Sequence, residues 1–322
     1  MHNVIARNEV TKQSRSKNEI ASLPLVARND GAVSQVLVTG GTGFLGSAAG
    51  EALKHAGYPH QLLDAQASGA GLRAIVESLA ESERKDAVLI HLAGLSDAKI
   101  AQKEPGRALE EVLLLTLRTV DLCVEFGLAK CILVSSAMAY GPQPRQPVSE
   151  DAPLNPQGIY ASAKAAAEML ARGRVSGKEI SLEIVRPGNI IGPGMKEGTL
   201  VKQIIAQLSI PWPVTVQSLK PRRDYIHVQD VARALTQLIA LAPDKDRVRV
   251  FNVGTGRGTS ALELYRILAA AAGAASADPR ETAHEDYRVF DLAIDSSRLR
   301  EKTGWKPDIS LEEAAQELVR NG

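Results

Sequence analysis

Val36–Gly46 reads Val-Leu-Val-Thr-Gly-Gly-Thr-Gly-Phe-Leu-Gly, and this stretch decides the fold. The apolar run Gln35–Thr39 breaks at a glycine cluster, and a helical pattern then runs from Phe44 to His55. A buried strand, a tight turn and a helix in that order open a parallel crossover. Gly40, Gly43 and Gly46 sit three apart, and Gly41, Gly43 and Gly46 also fit G-x-G-x-x-G. Phosphate binding calls for one glycine to make the turn, one to admit a pyrophosphate to the backbone, and one to bring helix close to strand. The helix N-terminus adds unpaired N–H groups and the positive end of its dipole. Asp64 closes the next apolar segment, Gln61–Leu63, at the distance where a carboxylate reaches both ribose hydroxyls. That placement favours NAD over NADP.

Outward from this unit, strand and helix patterns alternate from Ser34 onward. They predict an α/β fold, a Rossmann-like doubly wound parallel sheet with helices on both faces. The expected strands are Ala87–Ala93, Lys130–Ser135, Ser181–Arg186 and Val250–Val253. Between Asp64 and Ala87 there is one helical run, Leu72–Leu79, and no apolar strand, so the usual edge strand after Asp64 is expected to be missing. Glu104–Phe126 reads as one long helix that is apolar nearly all round, with Val112, Leu113, Leu114, Leu115, Leu117, Val120 and Leu122. A surface helix needs only one apolar stripe. The surplus predicts a homodimer through helices 104–126 and 158–172.

Residues 1–33 are polar and mixed in charge and read as a disordered or loosely attached tail. The cofactor domain is expected over 34–186, with 224–254 returning to it. Residues 187–223 and 255–322, punctuated by Pro193, Pro211, Pro213 and Pro221, would form a smaller interleaved C-terminal substrate lobe. The 322-residue chain is 44% apolar with a formal net charge of +1, which gives no electrostatic case for nucleic acid or a membrane surface. Two cysteines and no membrane-length apolar run point to a cytoplasmic protein with reduced thiols. The scattered histidines offer no metal-ligand spacing, so no metal is expected.

Ser135-Ser136-Ala137-Met138-Ala139-Tyr140-Gly141 ends a strand, where open α/β sheets bind ligands. Tyr160 and Lys164 follow in Tyr-Ala-Ser-Ala-Lys and share a helix face. Tyrosine is a poor base, with a free pKa near ~10. A nearby ammonium favours the phenolate. With Ser136 holding the substrate oxygen, the three form an acid–base set for oxidising an alcohol beside a nicotinamide. Tyr140 has Pro144 four residues on instead of lysine and reads as packing.

In this order the motifs resemble the extended short-chain dehydrogenase/reductase family, in its nucleotide-sugar epimerase/dehydratase group. The likeness spans Val36 to Pro307. It includes His91–Leu95, Arg186–Gly194, Arg223-Asp224-Tyr225-Ile226-His227-Val228, Phe251–Gly256 and Gly304–Pro307. It implies a catalytic set of Ser136, Tyr160 and Lys164. The cofactor residues would be Gly40, Gly43, Phe44, Leu45, Gly46, Asp64, Leu92, Ala93, Gly94 and Ser135, with Lys164 also on the nicotinamide ribose. Asn189, Arg223 and Arg288 would hold a nucleotide-sugar substrate, the arginines as forked clamps on its diphosphate. The family's usual asparagine in the long helix is replaced by Val112 or Glu111, and its adenine-binding Gly-Asp segment is missing. Ala137 and Met138 stand where dehydratases carry an acidic pair, which disfavours elimination of water. The expected activity is NAD-dependent epimerisation at C4 of the sugar. The alternatives are a 4-keto-sugar reductase, whose branch shares the short segment after Asp64, and a non-catalytic dinucleotide-binding protein.

Overall fold

A computed structural model describes residues 33–64, 70–208, 213–242, 247–274, 278–282 and 290–321. The expected tail thus lies, but for Val33, outside the described residues.

The strands in chain order are β1 Val36–Thr39, β2 His60–Leu63, β3 Val88–His91, β4 Lys130–Val134, β5 Ser181–Pro187, β6 Asn189–Ile191, β7 Thr215–Val216, β8 Arg222–His227, β9 Val248–Val253, β10 Gly258–Ser260 and β11 Arg280–Glu281. The helices are α1 Phe44–His55, α2 Ala70–Ser78, α3 Glu81–Asp86, α4 Ala98–Lys103, α5 Pro105–Ala108, α6 Leu115–Glu125, α7 Gly158–Val175, α8 Leu200–Leu208, α9 Val228–Ala240, α10 Ala261–Ala271, α11 Ser297–Thr303 and α12 Leu311–Arg320. Six strands form one parallel sheet in the order β2-β1-β3-β4-β5-β9. Both faces are covered, as parallel sheets require. Val36 and Val38 join Val134, Val185 and Phe251 against α1 and α9 on one side. Leu37, Leu89, Leu133 and Ile184 pack with Leu72, Val120 and Ala171 from α2, α6 and α7 on the other. Strand β2 is the sheet edge, and no strand occurs among the described residues between Asp64 and β3, as expected.

Two features differ from the sequence reading. The predicted helix 104–126 is broken: α5 passes into a π-helical turn, Leu109–Leu114, before α6. Apolar residues nearly all round leave no stripe whose slip would betray the changed period. The irregular region after β5 also builds a second sheet, β10-β8-β6. Strand β9 joins the main sheet, whereas β8 belongs to this second one. A separate core of Ile191, Val201, Ile204, Tyr225, Leu264 and Leu268 lies beneath α8, α10 and α12.

Candidate active site

The glycine turn divides its duties clearly. Gly40 has φ +69°, and a Cβ there would lie 2.7 Å from the Ala93 nitrogen. A Cβ on Gly46 would lie 2.2 Å from the Gly40 carbonyl oxygen, so helix and turn touch there. Gly43 caps α1 with no side-chain bond, and its Cβ would meet only the Gly40 oxygen, at 3.2 Å. Gly40 and Gly46 therefore serve the turn and the packing, while the surface over Gly43 stays open. The first turn of α1 carries no acid, leaving the positive end of the helix at Phe44 and Leu45 available to an anion. Asp64 directly follows β2, the strand beside β1.

The next strand ends close by. His91 closes β3, and its ring is buried between two threonines. Thr116 donates to the Val112 carbonyl at 2.6 Å, so its hydroxyl must accept from His91 Nε2, 3.2 Å away. His91 Nδ1 then accepts from Thr39 at 2.7 Å. Burial and the Lys164 ammonium push the ring pKa down to about 3, so it stays neutral. This chain of bonds ties β1, β3 and the π turn together under Leu92–Gly94. Gly94, at φ +131°, would put a Cβ 2.5 Å from the Glu111 carbonyl. Sequence reading passes over His91 as a separate feature, although a histidine closing an apolar strand was its signal.

Ser135 and Ser136 follow β4. The Ser135 hydroxyl is buried and has no hydrogen-bond partner among the described residues. Ser136 caps a short 3₁₀ turn, accepting from the Met138 nitrogen at 3.2 Å. Tyr160 stands in the first turn of α7, close enough to Ser136 for the serine hydroxyl to act on its phenol. Burial raises the phenol's pKa, and the Ser136 hydroxyl pulls it the other way. Lys164 lies one turn on and donates to the Val134 carbonyl at 3.0 Å. Burial lowers its pKa to about 8, against a smaller opposing pull from Glu168. The other flank of Tyr160 is apolar, formed by Leu95, Ala101, Ala108 and Val112 with Ile159 and Ala163. Tyr140 is buried as packing, donating to Asn252 at 2.7 Å with the Arg186 guanidinium 4.7 Å above its ring.

Of the remaining expected residues, Asn189 opens β6 and pairs with Tyr225 of β8. Arg223 lies on β8, its guanidinium 4.8 Å over the Phe290 ring and bonded to the Phe290 carbonyl. Arg288 lies outside the described residues. The site thus joins strand ends of β1, β3 and β4 with the start of α7, while Asn189 and Arg223 lie on β6 and β8 of the second sheet.

The donor set suits a dinucleotide. An open glycine at a helix N-terminus free of acids fits a pyrophosphate, and an unpaired buried hydroxyl beside the tyrosine and lysine fits a polar ring substituent.

A family model for NAD-dependent epimerases and dehydratases matches residues 36–254. UDP-glucose 4-epimerase of Mycolicibacterium smegmatis is 28% identical over 316 residues, covering 88% of this chain and 97% of that protein. GDP-6-deoxy-D-mannose reductase of Pseudomonas aeruginosa is 29% identical over 251 residues, covering 74% and 80%. The solved structure of UDP-glucose 4-epimerase with UDP-glucose from Thermotoga maritima matches with a TM-score of 0.78 at 26% identity, covering 89% of this chain and 98% of that one.

Proposed function

We propose that this chain, which belongs to the NAD-dependent epimerase/dehydratase family, inverts C4 of a UDP-activated hexose through a transient 4-keto sugar. The observation that carries the reading is Tyr160 beside Ser136 with Lys164 one turn away, at a strand end beside the glycine turn. Withdrawal of hydride from C4 and its return to the opposite face is the chemistry that NAD supplies when bound. The residues to hold it are Gly40, Gly43, Phe44, Leu45 and Gly46 for the pyrophosphate, Asp64 for the ribose, and Leu92, Ala93, Gly94, Ser135 and Lys164 toward the nicotinamide. Ser136 positions the C4 oxygen. Tyr160 takes the hydroxyl proton as C4 is oxidised and returns it to the same oxygen as C4 is reduced. Lys164, with a pKa of about 8, is mostly charged at neutral pH and lowers the energy of the phenolate. Asn189 and Arg223 would hold the nucleotide diphosphate, as would Arg288, with residues 187–223 and 255–322 forming the substrate lobe.

The apolar flank of Tyr160 favours epimerase over reductase. A reductase consumes one proton per turnover and must refill its acid from solvent. An epimerase returns the same proton and needs no relay through Val112 and its neighbours. The reductase reading keeps support from the Pseudomonas relative and the short segment after Asp64. NMR of the protein with UDP-glucose and no added cofactor is expected to show the C4 epimer accumulating. Net oxidation of NADH with a 4-keto sugar, and no epimer, would select the reductase.

The same reading includes a cytoplasmic homodimer. No helix among the described residues is long and apolar enough to span a membrane. Leu109, Met169 and Leu170, beside α6 and on α7, are 48%, 67% and 44% exposed, an unusual display for large apolar side chains on two helices that pack together. A dimeric mass by light scattering, reduced to monomer by Met169→Glu with Leu170→Glu, is the expected result.

A further inference from the structure

Asp224 is neighbour to Arg223 on β8 and 1% exposed. Its Oδ1 accepts from the Thr255 nitrogen at 2.9 Å and the Thr255 hydroxyl at 2.6 Å. Its Oδ2 accepts from the Gly256 nitrogen at 2.9 Å and the Ile294 nitrogen at 3.2 Å. Its own nitrogen donates to the Leu292 carbonyl at 3.0 Å. One carboxylate thus fastens the loop after β9 and the segment at 292–294 to β8. Two glycines mark how closely these parts are drawn in: a Cβ on Gly254 would lie 2.8 Å from Asp224 Oδ2, and one on Gly188 would lie 2.7 Å from the Asp224 carbonyl.

The two elements that candidate substrate residues depend on meet here. Phe290, which stacks on Arg223 and accepts from it, stands two residues before Leu292. Gly188, pressed on the Asp224 backbone, stands directly before Asn189. We propose that Asp224 is a positioning residue for nucleotide-sugar binding: its carboxylate sets the 254–256 loop and the 290–294 segment against β8, and so fixes the platform on which the Arg223 guanidinium rests. This deepens the function proposed above and rests on it for the ligand.

The chemistry of the acceptor makes the idea testable with an almost isosteric change. Asparagine offers one acceptor oxygen and one donor nitrogen. With its nitrogen toward Gly256 and Ile294, two backbone N–H groups lose their acceptor. With its nitrogen toward Thr255, the hydroxyl can turn round but the Thr255 N–H cannot. Either orientation leaves a buried amide unpaired.

The experiment compares wild type, Asp224→Asn and Thr255→Val, each with its cofactor bound. It reads amide hydrogen exchange, UDP affinity by calorimetry, and the kinetics of UDP-glucose epimerisation. Asp224→Asn is expected to speed exchange in 254–256 and 290–294 while leaving 36–55 unchanged. It should weaken UDP and raise KM by roughly tenfold or more, with kcat held within about threefold. Thr255→Val, which removes the hydroxyl donor to Asp224 and its acceptance from the Arg257 nitrogen but keeps the Thr255 N–H, should give a smaller change of the same kind, about threefold, and keeps the test alive if Asp224→Asn does not fold. Unchanged exchange in 254–256 and 290–294, or a fall in kcat with KM and UDP affinity intact, overturns the proposal. Wild type that binds no UDP overturns the substrate reading instead, and the exchange data still judge the role of Asp224.

Discussion

Strand β4 meets a lysine ammonium at each end, and burial holds both to a pKa of about 8. At its start, Lys130 donates to the carbonyls of Leu238, Ile239 and Leu241 at 2.7, 2.9 and 2.6 Å. Its three protons are all placed, and they close the C-terminus of α9, where helix carbonyls lack partners and a positive charge is favoured. At its end, Lys164 makes one hydrogen bond among the described residues, to Val134. Burial lowers both, although Lys130 is only 4% exposed and Lys164 is half-buried. What differs is saturation: one ammonium is fully used by the fold, and the other keeps two donors for something the chain does not supply. Buried polar groups are normally satisfied, so unspent capacity sets the end of the strand that carries the proposed site apart from the other. The unpaired Ser135 hydroxyl stands at the same end.

The largest effects should separate the two ends outright. Tyr160→Phe removes the acid–base oxygen and is expected to lower kcat about 10³-fold with the far-ultraviolet dichroism of wild type. Lys164→Met should lower it about 10²-fold. Lys130→Met, measured in the same assay at a temperature where it stays folded, should remain within about threefold of wild type. Loss of activity in Lys130→Met as deep as in Lys164→Met would break the distinction.

The glycine turn carries the same contrast on a shorter scale. Gly43→Ala puts a methyl group on the exposed side of the turn, with the Gly40 oxygen 3.2 Å away as its one close neighbour, at a backbone conformation alanine accepts (φ −78°). It should weaken NAD retention at least tenfold, read from the cofactor released on gel filtration, at a stability change below about 1 kcal/mol. Gly46→Ala drives its methyl into the Gly40 carbonyl and should destabilise by about 2–4 kcal/mol. Equal loss of stability in both variants would mean that Gly43, too, is there for packing.

These pairs also explain what the sequence discloses. The strands of the main sheet were legible because buried strands, glycine turns and helix stripes are local signals, and Phe44–His55 matches α1 end to end. The placement of Ser136 after β4, and of Tyr160 and Lys164 one turn apart on α7, was legible because it depends on a strand end and on a helical spacing. Lys130, His91 and Asp224 were not singled out, since each acts through partners far away in the chain: Lys130 on residues beyond 237, His91 on Thr39 and Thr116, Asp224 on Thr255 and Ile294. No local pattern announces a contact of that kind. The π turn escaped for the opposite reason, because the Leu-rich segment around it satisfies every helical period at once.

The smallest effect gives the finest comparison, through pH. Both lysines fall from 10.5 to about 8 on folding, so between those values the unfolded chain holds more protons than the folded one. The stability each contributes is therefore greatest above 10.5, declines as pH falls through that window, and is flat below about 8. At neutral pH each ammonium is a desolvated charge, and its hydrogen bonds, with solvent at half-buried Lys164, offset that penalty. Lys164 has one to set against it, so Lys164→Met should match or exceed wild-type stability at pH 7, by up to about 1 kcal/mol, and should lose that margin by pH 10. Lys130→Met takes the ammonium from three carbonyls, of which Leu238 keeps the Leu241 N–H, and should be about 2–3 kcal/mol less stable at pH 7, with the deficit widening toward pH 10. Chemical denaturation of the three proteins at the two pH values reads both gaps. If Lys164→Met is as destabilised at pH 7 as Lys130→Met, then the lysine beside Tyr160 is held by the fold as firmly as its counterpart, and spare hydrogen-bonding capacity no longer tells the two ends of β4 apart.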